Sequence, residues 1–113
     1  GLLIRRLPLA WSQAGMVALQ RGLVDGHDGA IACFEKGWDA EEEHLNPMAY
    51  VALHRLNLFI GDSEKAAEWW EALQDAGGEK AVAPEWIKAI HDALARIDPE
   101  TASLLPSLVD EEE

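Results

Sequence analysis

The sequence predicts an all-α fold of helix pairs packed side by side. Three observations predict it. Apolar and small residues recur at three- and four-residue steps along most of the chain, which is the period of a helix face. No stretch alternates β-branched with polar residues, so no sheet is expected. A proline followed closely by an aromatic, the opening of a helix, occurs at Pro8/Trp11, Pro47/Tyr50 and Pro84/Trp86.

The elements follow in order. Leu2 to Leu7 is apolar with two arginines and ends at Pro8. It reads as a lead-in arm over 1–7, with Gly1 either a cloning remnant or the cut end of a longer protein. Pro8 opens the first helix, because proline is pre-set for the first helical turn and loses no hydrogen bond there. Trp11, Ala14, Gly15, Ala18, Leu19 and Gly22 form a face of mostly small residues, on which a second helix can pack closely. Leu23 to Gly29 is a turn, rich in glycine and aspartate. The second helix runs from about Gly29 to Asp39, with Ala30, Cys33, Phe34 and Gly37 or Trp38 inward.

Asn46 caps and Pro47 opens the third helix. Its packing residues are Tyr50, Leu53, Leu56, Asn57 and Ile60, and Gly61 ends it. Asp62 and Ser63 cap the fourth, whose stripe is Ala66, Trp69, Trp70 and Leu73. Trp70 fits the packing position, and Trp69 is the candidate for an exposed anchor. Gly77 and Gly78 stop that helix. Pro84 opens the fifth, with Trp86, Ala89, Ile90, Ala93, Leu94 and Ile97 as its stripe. Asp98 and Pro99 break it, and a short sixth helix, Glu100 to Leu105, precedes Pro106. The helical domain thus covers 8–109, and 110–113 is an acidic tail.

Composition sets limits on function. At 113 residues the chain fits one domain, and 49% hydrophobic residues suit a packed core. A net charge of −12 disfavours nucleic acid and anionic membrane, both of which need clustered Lys and Arg. It suits a basic partner, or plain solubility. Cys33 is the only cysteine, which fits a reducing, cytoplasmic setting. No apolar run approaches the roughly 20 residues of a membrane span.

Catalytic and metal chemistry find little support. His27, Asp28, Cys33 and His44 lack the paired spacing of a zinc site. His91 and Asp92 are neighbours on a helix and point to different faces, so they make no dyad. Ser12, Ser63, Ser103 and Ser107 lack a nucleophile elbow. His54 reads as a packing residue, and Cys33 as an inert core thiol. No catalytic residue, metal or cofactor is expected, and the chain is not expected to be an enzyme.

A repeat runs through the helices. Trp11 and Tyr50 are 39 apart, and Tyr50 and Trp86 are 36 apart. Ala30 and Phe34 of the second helix match Ala66 and Trp70 of the fourth. A helix pair cannot bury its apolar face alone, so pairs stack. The run Tyr50-x2-Leu53-x7-Gly61-x4-Ala66-x3-Trp70, with its Gly61-Asp62 turn, resembles the tetratricopeptide repeat. Gly15, Ala30, Phe34 and Gly37 match in the first pair, and the third matches in its first helix. The unit is longer than the family's usual length of about 34 residues. Gly26-His27 through Cys33, with the Pro84–Trp86 start, also faintly resembles type III secretion chaperones that protect the needle subunit.

The resemblance implies a short right-handed solenoid of five long helices plus a short C-terminal one. It implies a concave groove, lined by the first helix of each pair, that holds a peptide or amphipathic helix. The lining on this chain is Ser12, Met16 and Leu19; Val51, Arg55 and Leu58; and Ile87, His91 and Leu94. With Arg55 almost alone as a cation there, an acidic C-terminal tail of the heat-shock kind is not the implied ligand. The expected function is a protein-binding adaptor or chaperone. The alternative is a structural or oligomerising piece of a larger protein, and a homo-oligomer is a further option.

Overall fold

The structure is a computed structural model that describes residues 8–40 and 47–112, with side chains over 13–39 and 47–109. The expectations for Leu2–Leu7, for the Asn46 cap, for Glu41–His44 and for the side chains of Trp11 and Ser12 lie outside those residues. Six α-helices follow one another: α1 (Pro8–Gln20), α2 (Ala30–Ala40), α3 (Pro47–Ile60), α4 (Ser63–Asp75), α5 (Pro84–Ile97) and α6 (Pro99–Glu112). A 3-10 turn, Glu79–Ala81, sits between α4 and α5. There is no strand among the described residues.

The repeat is visible in how helices end. After α1, Gly22 N–H donates to Leu19 O at 2.9 Å and Leu23 N–H to Ala18 O at 2.9 Å. After α3, Gly61 N–H donates to Leu58 O at 3.2 Å and Asp62 N–H to Asn57 O at 2.9 Å. Both are the paired reverse bonds of a Schellman cap, which needs a left-handed residue at its centre. Gly22 has φ 79° and Gly61 φ 84°. Asp62 then starts α4, its Oδ1 accepting from Lys65 N–H at 3.1 Å.

Close packing of α1 on α2 rests on the small face expected from the sequence. A Cβ added at Gly15 would lie 2.6 Å from the Phe34 ring. Phe34 is fully buried and meets the Trp86 ring of α5 edge-on, centroids 6.0 Å apart. Trp86 in turn donates from Nε1 to Met48 O at 3.0 Å, tying α5 to the start of α3.

The hub of the molecule is α3. Every residue from Ala49 to Leu58 is buried. A helix that is apolar all round must be enclosed all round, and α3 packs against α2, α4, α5 and α6. Helix α1 packs on α2 and also reaches α5. The Cα radius of gyration, 13.1 Å, matches the roughly 13 Å expected of a compact domain of this length. The helices therefore close around α3 rather than leaving it one open side.

The last helix differs from expectation. It was expected to be short and to stop before Pro106, but α6 runs Pro99–Glu112 with Pro106 inside it, as long as α3 or α5. Asp98 caps it, its carboxylate accepting from Thr101 N–H at 3.3 Å and Thr101 Oγ1 at 2.7 Å. An interior proline costs a helix about 3 kcal/mol. Leu105 and Val109 are buried on either side of exposed Pro106. Each contributes roughly 1.5–3 kcal/mol by leaving water. The apolar stripe thus outweighs the proline and carries the helix through it.

Candidate functional site

The lining residues expected from the sequence fall largely in two places. One is inside, around Arg55. The other is a cleft between α1 and α5.

Arg55 sits mid-α3 and is 3% exposed, while its neighbour His54 is fully buried. The three guanidinium nitrogens point three ways. Nη2 pairs with Glu79 of the 3-10 turn, Nη1 donates to His54 Nδ1, and Nε donates to His91 Nε2 of α5 at 3.3 Å. Burial lowers the affinity of both imidazoles for protons, and the adjacent cation lowers it further. The His54 pKa falls to about 3, so the ring is neutral. Its Nε2 has no hydrogen-bond partner, and the ring packs on Trp70 with centroids 4.9 Å apart. Burial alone lowers Arg55 to about 10, still charged at neutral pH. A buried guanidinium with every nitrogen engaged has no free edge for a substrate or carboxylate. The cluster is a clasp that holds α3, the turn and α5 together.

The sequence-derived lining therefore divides. Val51, Arg55, Leu58, Leu94 and Leu19 are buried, and His91 is half-buried against Arg55. They do not form the open concave wall that the resemblance implied. The reason is that α3 is enclosed by α2, α4, α5 and α6, with His91 of α5 lying on Arg55. Met16 and Ile87 are half-buried. The Trp69 expectation also changes. Its ring is half-buried between Trp38, at 5.6 Å, and Tyr50, at 5.8 Å.

Met16 and Leu19 do line a cavity, but it lies between α1 and α5. A hollow of about 380 Å³ is bounded by Leu19, Gln20, Arg21, Gly22, Ala93, Arg96 and Ile97. A second, of about 230 Å³, shares Gln20, Ala93 and Arg96 with it and adds Met16, Ala89 and Asp92. Leu19 and Ala93 are buried and make an apolar floor. Gln20, Arg21 and Arg96 on its rim are exposed. Ala89 and Ala93 are one helical turn apart, so the α5 wall is low. Sequence reasoning put Ala89 and Ala93 on a packing stripe. It weighed Asp92 only as a partner of His91 and did not single out Gln20, Arg21 or Arg96, although Arg21 and Arg96 are two of only nine Lys and Arg.

Among the described residues, no group of three or more His, Cys, Asp or Glu could hold a metal ion, and no helix is long and apolar enough to cross a membrane. No protein-family model, curated protein or solved structure matches the chain.

Proposed function

We propose that this chain is a non-catalytic protein-binding module, a tetratricopeptide-like adaptor or chaperone that holds a helix or extended peptide of another protein. The observation that carries the reading is the α1–α5 cleft. It has an apolar floor at Leu19 and Ala93 and an exposed rim at Gln20, Arg21 and Arg96. Helix-in-groove recognition uses such a trough. Support for the family comes from the matched Gly22 and Gly61 caps and the Gly15–Phe34 close approach, which sit where the repeat spacing asks for them. In this reading α1–α2 and α3–α4 are two stacked repeat pairs, and α5–α6 folds back on them, moving the binding surface from the α3 face to the cleft.

The test is site-specific photocrosslinking. Benzoylphenylalanine at Gln20, exposed and lining both hollows, is expected to capture one discrete protein, while the same residue at exposed Ala67 on α4 does not. Equal labelling at both positions, or none at Gln20, ends the reading.

A further inference from the structure

The net charge of −12 points to a basic partner, yet the cleft itself is basic. Arg21 sits just after α1 and Arg96 lies in the last turn of α5. Both are exposed, both line the larger hollow, and neither has an ion-pair partner among the described residues. Among the described lining residues the one carboxylate, Asp92, pairs with Lys88 Nζ at 2.9 Å. Docking is decided by the charges that touch, because charges more than about 8 Å apart are largely screened at physiological salt. Contact favours carboxylates opposite the two guanidiniums, which can grip them bidentately.

We propose that the occupant of the α1–α5 cleft is an amphipathic helix of a separate protein, with a small apolar face flanked by acidic side chains. The proposal rests on the protein-binding reading of the cleft. The low wall at Ala89 and Ala93 admits close approach of a helix. Leu19 and Ala93 supply the floor for its apolar face. Arg21 and Arg96 meet its carboxylates. The chain's own first seven residues carry Arg5 and Arg6 and so bring the wrong charge. A second copy docked cleft to cleft would set the same two guanidiniums, Arg21 and Arg96, against one another.

The test uses three fluorescent, lactam-constrained 16-residue helices. They share an Ala/Leu face and differ only in the flanking residues, which are Glu, Gln or Lys. Binding is read by anisotropy, its location by amide chemical-shift changes, and self-association by sedimentation. The Glu peptide is expected to bind at least tenfold more tightly than the Lys peptide and to shift Gln20, Ala93 and Arg96. The reversal Arg21→Glu/Arg96→Glu, with circular dichroism showing an unchanged fold, is expected to invert that order. The neutral pair Arg21→Gln/Arg96→Gln is expected to level it. Equal binding of all three peptides at the cleft overturns the acidic specificity and leaves the protein-binding reading standing. No binding at the cleft, with no crosslink from Gln20, overturns both. A dimer that buries the cleft overturns the separate-partner claim.

Discussion

At the residue scale, two contacts decide how tightly the molecule is built. Gly15 is where α1 touches α2, because a methyl group there would meet the Phe34 ring at 2.6 Å. Gly15→Ala is expected to cost about 1–3 kcal/mol by overpacking, despite alanine's better helix propensity. Phe34→Leu in the same chain is expected to recover part of the loss, a coupling that a double-mutant cycle in urea measures. Additive effects would exclude the contact. Arg55 is the second. Arg55→Ala is expected to destabilise the fold by about 3–5 kcal/mol, because it strands a carboxylate and two imidazoles. Arg55 was placed in a groove by transfer of the family's geometry, not by reading its own neighbours. Ala52, Leu53, Leu56 and Leu58 surround it in sequence, and that composition already pointed inward. Charge changes at Arg55 or Leu58 therefore report folding, and only changes at the cleft report binding.

At the element scale, what the sequence made legible is what local chemistry dictates. Pro47 and Pro84 open helices, Gly61 ends one, and Asp62 starts the next, each for a backbone reason confined to a few residues. What it hid depends on distant packing. Pro106 is a local stop signal, and α6 ignores it because Leu105 and Val109 reach a core built by other elements. The cleft was hidden for the same reason, since α1 and α5 meet only after the whole chain has closed. Two substitutions test the balance in α6. Pro106→Ala is expected to stabilise the protein by about 1–3 kcal/mol, raising the urea midpoint with little change in slope. Leu105→Ala is expected to destabilise it by about 2–5 kcal/mol. A neutral Pro106→Ala would mean that the proline costs this helix nothing.

At the scale of the whole molecule, the fold combines a surface of strong negative charge with a buried cation, the buried neutral His54 and the half-buried His91. Acid acts on these in opposite directions. As pH falls toward the sequence pI of about 4.6, surface repulsion relaxes and favours the compact state. The histidines work against it. An unfolded imidazole titrates near 6.5, whereas folded His54 titrates near 3 and His91 below its ordinary value. The unfolded chain therefore binds more protons below pH ~6.5, and stability from these groups is complete above that value. The His54 part drains away as pH falls from about 6.5 toward 3, approaching about 1.4 kcal/mol per pH unit, and His91 acts in the same direction. Asparagine can present an oxygen where His54 offers Nδ1, and glutamine where His91 offers Nε2, so His54→Asn/His91→Gln keeps an acceptor for Arg55 and removes the titration. Urea unfolding from pH 7.5 to 4.5 is expected to show the wild-type stability falling relative to this variant only below about pH 6.5. Surface repulsion is common to both proteins and cancels in the difference. Parallel curves across that range would show that the clasp around Arg55 does not couple folding to histidine protonation.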